Sequence, residues 1–254
     1  MKRVILVHHH IFKNAGTSLQ YALKQYFKDQ YYECELPNSQ MVTTADLEQF
    51  IVEHPEARVI SGHHICWPTP QGEDYRTQSI VLLRDPLARG ESVYKFERKQ
   101  QAETEGAVMA KEMDFAEYVR WRLDRTPTML CNYQTYYCSQ QEKGDRNRIP
   151  TEADLEVAMQ NLQASAVVGT VERYEETLES ANRRLEADYP GMALVYQYLN
   201  VTGKPEVPSQ EQVQEKLRVM LGGEIVDELV EGNRLDQKLW QMADKILGER
   251  MVAA

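Results

Sequence analysis

Four short runs of consecutive apolar residues, separated by helical periodicity, constrain this chain more than any other feature. They lie at 2–8 (Lys-Arg-Val-Ile-Leu-Val-His), 58–62 (Arg-Val-Ile-Ser-Gly), 79–83 (Ser-Ile-Val-Leu-Leu) and 166–169 (Ala-Val-Val-Gly). A strand with one face in water alternates apolar and polar residues. An unbroken β-branched run instead needs cover on both faces, as in a parallel sheet between helices. Helical patterns at 44–54, 86–101 and 151–164 lie between the runs, and Leu19, Ala22, Leu23, Tyr26 and Phe27 share one face of a helix after the first. The spacing therefore predicts an α/β fold with a central parallel sheet flanked by helices. Residues 113–140 read as extra helices within an insertion at about 95–148, between the third and fourth runs. Beyond residue 170 the chain reads as helical, with breaks at Pro190-Gly191, Gly203-Lys204-Pro205 and Gly222-Gly223. Residues 1–254 read as a single domain, without repeat, linker or low-complexity tract.

Composition narrows the function classes. With 42% hydrophobic and 27% charged residues the chain is of ordinary globular type. No apolar run approaches the roughly 20 residues of a membrane helix, and Val4–Val7 is too short for a signal core. Four cysteines without metal-ligand spacing suggest reduced thiols and a cytoplasmic protein. The net charge of −10 argues against general nucleic-acid binding. Much of that charge lies in residues 151–254, with 10 basic against 19 acidic residues, so an anionic ligand meets less repulsion in the first 150.

Two segments carry chemistry. The first, His8 to Leu19, joins the first strand to the first helix. Such a turn aims free N–H groups and the positive end of the helix dipole at one point, which suits an anion. Ala15 and Gly16 let the backbone approach a ligand, Thr17 and Ser18 add hydroxyl donors, and Lys13 adds a mobile charge. The lysine precedes the glycine, so the nucleotide-kinase pattern G-x-x-x-x-G-K-[ST] is absent. Three consecutive histidines, His8 to His10, cannot all face one metal from a strand whose side chains alternate, and no metal is expected. The second segment, Arg84-Asp85-Pro86-Leu87-Ala88-Arg89-Gly90-Glu91-Ser92-Val93-Tyr94, follows the third run. Asp85 suits an N-cap and Pro86 a first turn. Arg84 at the strand end and Ser92 two turns along the helix can grip a phosphate, with Arg89 three residues from Ser92 on a shared face. Taken singly, the two segments are equally readable as an ordinary strand-to-helix turn and a local Arg84–Asp85 pair.

Together the segments resemble the 5′-phosphosulfate loop and the 3′-phosphate motif of sulfotransferases that use 3′-phosphoadenosine 5′-phosphosulfate (PAPS). The resemblance is to the carbohydrate O-sulfotransferase branch that includes the heparan sulfate 2-O-sulfotransferases and bacterial relatives. That branch writes the loop as H-I-P-K-T-[GA]-G-T-S-L, matched by His10 to Leu19, with Phe12 for proline and Asn14 for threonine. It writes the second motif as R-[DN]-P-x-x-R-x-x-S-x-Y, matched by Arg84, Asp85, Pro86, Arg89, Ser92 and Tyr94. Ser61-Gly62-His63, Asn132-Tyr133-Gln134-Thr135, Val168 to Tyr174, Asn200-Val201-Thr202 and Asp236 to Trp240 resemble further landmarks of the family. Ser61 stands where some members carry a second histidine, and Tyr136 where arginine is common.

The resemblance implies a P-loop-like sheet and transfer of a sulfuryl group from PAPS to a hydroxyl acceptor, with PAP as product and no metal. Lys13, Asn14, Ala15, Gly16, Thr17 and Ser18 would hold the 5′-phosphosulfate, Lys13 also stabilising the leaving charge, with Asn14 donating a hydrogen bond. Arg84 and Ser92 would hold the 3′-phosphate. His63, beyond the second run, would be the base, with His64 the second choice and pointing the other way if strand geometry persists. Glu172 and Arg173 would order the site's edge or form a salt-bridged loop. The resemblance implies a glycan acceptor; the residues alone equally allow a lipid, a polyketide-like alcohol or a tyrosine. An inactive module binding PAP or another phosphoanion and a small-molecule kinase are the alternatives.

Overall fold

A computed structural model describes residues 2–140, 148–195 and 207–252. Five strands form one all-parallel sheet in the order β2-β3-β1-β4-β5: β1 (Arg3–His9), β2 (Tyr31–Glu33), β3 (Val59–Gly62), β4 (Tyr75–Leu83) and β5 (Val167–Thr170). The four apolar runs are β1, β3, β4 and β5. Two features differ from the sequence reading. The short edge strand β2 was not anticipated, since Tyr-Tyr-Glu offers neither an apolar run nor a clear alternation. β4 begins at Tyr75, where Tyr-Arg-Thr-Gln alternates buried and half-buried residues before the apolar run starts.

Helices cover both faces. α1 (Gly16–Phe27) follows β1, and α2 (Thr44–Glu53) follows β2 behind a Thr43–Asp46 capping box. α3 (Pro86–Lys99) starts at the Asp85 cap, whose carboxylate accepts the Ala88 N–H at 2.8 Å. α4 (Glu105–Glu112), α5 (Phe115–Arg125) and α6 (Tyr133–Ser139) then precede α7 (Glu152–Ala164) and β5. The last third contributes α8 (Tyr174–Leu185), α9 (Gln210–Leu221), α10 (Gly223–Gly232) and α11 (Arg234–Val252). The anticipated break at Gly222 separates α9 from α10, with φ of 85°. The one at 203–205 lies outside the described residues.

The unbroken apolar strands pack as the pattern requires. Val4 and Leu6 of β1 join Leu19, Leu23 and Phe27 of α1 and Leu178 of α8 on one face. Ile5 and Val7 meet Leu47 and Ile51 of α2 on the other, while Val81, Leu83 and Val168 meet α7 and α11. Each such buried side chain contributes about 1.5–3 kcal/mol. The inserted helices make a further core with the C-terminal ones: Val93, Tyr118 and Leu130 pack against Leu217, Val226 and Leu229.

This topology fixes where a ligand can sit. β1 sends the chain through α1 to the edge strand β2, whereas β4 sends it towards β5 on the opposite side. The crevice beyond the carboxyl ends of β1 and β4 is therefore the switch point at which open α/β sheets take ligands. His9 aligns with Gly62 of β3 and Val81 of β4, so the segments beginning at His10, His63 and Arg84 all leave the same sheet edge.

Candidate active site

The loop after β1 is anchored from beneath. Asn14, only 1% exposed, donates its side-chain amide to the Leu82 carbonyl at 3.0 Å and to Gln134 Oε1 at 2.7 Å. The expected donor to a ligand is thus a buried strut that ties the loop to β4 and α6. Lys13 and Ala15 adopt left-handed φ of 68° and 56°, which throws the intervening loop sharply over the strand ends. Ala15 caps α1 without a side-chain acceptor, and the first turn of the helix has no acidic residue. Its N-terminal N–H groups and dipole therefore face no carboxylate from the helix's own first turn. Thr17 is exposed and Ser18 half-buried there. Gly16 serves the fold as well: a Cβ at this position would lie 1.8 Å from Cδ2 of His10.

Arg84 meets this loop from β4. Its backbone N–H donates to Gln134 Oε1 and its carbonyl accepts from Gln134 Nε2, both at 2.8 Å. Nη1 donates to the Lys13 carbonyl at 3.2 Å, while Nε is buried without a partner. The Lys13 ammonium lies 4.4 Å from the centroid of Phe96 and 5.9 Å from that of Phe12. Burial and the Arg84 charge both pull the Lys13 pKa down; burial also lowers that of Arg84, against nearby Glu172, Asp85 and Glu91. Two cations that repel one another and contact a carbonyl and rings rather than carboxylates form an electrostatic demand for an anion. Ser92 is half-buried on α3. Arg89, three residues earlier on the same helix, is fully buried, donates to the Met129 carbonyl and lies 4.1 Å over the Tyr133 ring.

His63 is held by a residue that the sequence reading missed. Glu35, just beyond β2, accepts both the His63 backbone N–H at 2.8 Å and its ring Nδ1–H at 2.7 Å through one oxygen. Burial pushes the Glu35 carboxyl up, and the bonds from His63 more than reverse this, holding it below its ordinary value. With Nδ1 engaged as donor, Nε2 is left as the ring nitrogen for proton transfer. The signal that could have found Glu35 is positional, since it follows a strand at the ligand-bearing edge. Its strand, however, escaped detection. The His63 ring stacks on His10 at 4.0 Å, and His10 stacks on His8 at 5.2 Å. Burial, with help from His63 and Lys13, takes the His10 pKa down to about 3, so its ring is neutral. His9 faces the opposite side of the sheet, stacked on Trp67 at 3.7 Å. Among the described residues no group of three or more His, Cys, Asp or Glu could hold a metal ion.

His64 does not point away from His63. β3 ends at Gly62, so strand alternation no longer applies, and both histidines line one cleft of about 560 Å³. His64 Nδ1 lies 3.0 Å from the Tyr137 hydroxyl. Tyr133, Tyr136 and Tyr137 of α6 with Phe12 and Phe96 supply most of the ring surface of this cleft.

A buried polar network fixes these parts together. Asp236 of α11, fully buried, accepts the Gln134 and Thr135 N–H groups at 3.0 and 2.7 Å at the start of α6. Glu172 accepts the Asp85 N–H at 3.0 Å and the Trp240 indole N–H at 2.9 Å, and Arg173 pairs with Glu176 and Asp244. Glu172 thus ties the start of α3 to α11, whereas Arg173 forms a salt-bridged turn between α8 and α11. The Asn200-Val201-Thr202 landmark lies outside the described residues. No helix among the described residues is long and apolar enough to cross a membrane.

No protein-family model matches the chain. An uncharacterized protein of Archaeoglobus fulgidus is 27% identical over 250 residues, covering 95% of this chain and 96% of that one.

Proposed function

We propose that this protein is a PAPS-dependent O-sulfotransferase with a P-loop-like fold. The reading is carried by Lys13 and Arg84: two adjoining cations, without carboxylate contacts, flank the uncapped start of α1 at the sheet's switch point. The buried, unpartnered Nε of Arg84 fits a further phosphate oxygen. When bound, the donor supplies an activated sulfuryl group whose S–O bond to the 5′-phosphate breaks as the acceptor oxygen forms a new one. The N–H groups opening α1, with Thr17 and Ser18, bind the 5′-phosphosulfate. Lys13 offsets charge on the departing oxygen. Arg84 and Ser92 bind the 3′-phosphate. His63 takes the acceptor proton at Nε2, and Glu35 orients the ring and stabilises the resulting imidazolium. The acceptor occupies the cleft that His63 lines.

The 3′-phosphate assignment has a direct test. Arg84→Ala should weaken PAP binding roughly 10- to 150-fold, the value of a charge-assisted hydrogen bond. Binding of adenosine 5′-phosphosulfate, which lacks the 3′-phosphate, should change far less. Equal weakening of the two ligands in calorimetric titrations would contradict the assignment.

A further inference from the structure

Resting on that reading, we infer that the acceptor is a small, uncharged, ring-bearing alcohol rather than an anionic polysaccharide. Three observations converge. The cleft beside His63 holds about 560 Å³, within the range of small-molecule sites. Its ring surface is aromatic and already ordered: Phe12 meets Phe96 edge-on at 5.3 Å, and Tyr133 stacks on Tyr137 at 4.6 Å. Such surfaces hold a flat ring by stacking.

The third observation is charge. Among the described residues Arg122 is the cleft's one lining guanidinium or ammonium, and it is not on offer to a ligand. It is 6% exposed, its Nη2 donates to both Glu97 oxygens at 2.8 and 2.7 Å, and its Nε and Nη1 donate to Tyr118 and Thr126 at 2.8 Å. Gly106 leaves the room this pair occupies, since a Cβ there would lie 1.9 Å from Arg122 Nη2. The lining Glu105 is exposed and faces Arg125 at 3.9 Å. Lys13 stands at the boundary over Phe96, where the reading above places the sulfuryl group. A sulfated or carboxylated chain would bring anions to a wall whose described lining residues offer no free guanidinium or ammonium. A neutral ring costs nothing of the kind.

The test measures binding to the full chain without nucleotide, by calorimetry at neutral pH, for 2-naphthol, methyl glucoside and a heparin hexasaccharide. Binding of 2-naphthol or methyl glucoside, with the hexasaccharide inert, is the expected result. The two neutral probes distinguish an aryl acceptor from a sugar ring. Phe96→Ala, at a side chain 40% exposed and outside the buried core, should weaken the neutral probe roughly 2- to 12-fold, a stacking contribution. Tighter binding of the hexasaccharide, no binding of either neutral probe, or an unchanged affinity in Phe96→Ala would overturn the inference. PAP binding, measured separately on the same protein, reports on the donor site. Its failure would remove the sulfotransferase reading while leaving the preference for a neutral ring standing.

Discussion

His10 shows how much a single side chain does in this site. Its neutral ring fills the space that Gly16 leaves open and stacks on the ring of His63, so the donor loop and the proposed base share one piece of packing. The Glu35–His63 pair then sets which nitrogen is free. His63→Ala should lower kcat roughly 10²- to 10⁴-fold, the usual span for a general base, with PAP affinity unchanged. Glu35→Ala should lower kcat by less, again without loss of PAP. A large loss of PAP binding in His63→Ala would move His63 into the donor site. Lys13 and Arg84 were legible in the sequence because each lies beside its own glycine or proline landmark. Glu35 was not: strand pairing brings it to His63 across 28 residues, and nothing in its neighbours reports that. Asn14 was legible as a hydrogen-bond donor but not in direction, since its partners Leu82 and Gln134 come from distant segments.

Among the elements, α6 is the piece on which the site depends most. It carries the tyrosines of the cleft and, through Gln134, grips both the loop after β1 and the end of β4. Asp236 on α11 seats its first turn. Asp236→Ala would leave two buried N–H groups unpaired at about 1–3 kcal/mol each. Urea unfolding should therefore show a loss of about 2–5 kcal/mol. A loss under about 0.5 kcal/mol, the level of an ordinary surface substitution, would show that α6 is held by packing alone. Periodicity located α1, α2 and α7 because each buries one apolar stripe against the sheet, and α3 because its stripe packs on the inserted and C-terminal helices. It could not show that the turn entering α6 is a junction, since a buried Gln-Asp pair has no periodic signature.

For the molecule as a whole, the parallel sheet was readable from its apolar runs, and the switch point follows once the strand order is known. The order itself is a long-range property: β3 lies between β1 and β2, although it follows both in sequence. The joining of the inserted helices to α9 and α10 in one core was equally hidden, because two amphipathic faces far apart in sequence carry no label of their partner. What this architecture delivers is a crevice where Lys13 and Arg84 meet at the start of α1 without a direct hydrogen bond to a carboxylate, on a chain whose net charge is −10. Calorimetric titration of the purified protein with PAP, ATP, ADP and AMP tests that crevice most directly. Tight binding of PAP with much weaker binding of ATP is the expected result. A preference for ATP, or no nucleotide binding at all, would contradict the assignment of Lys13 and Arg84 to a donor carrying phosphates at both its 3′ and 5′ positions.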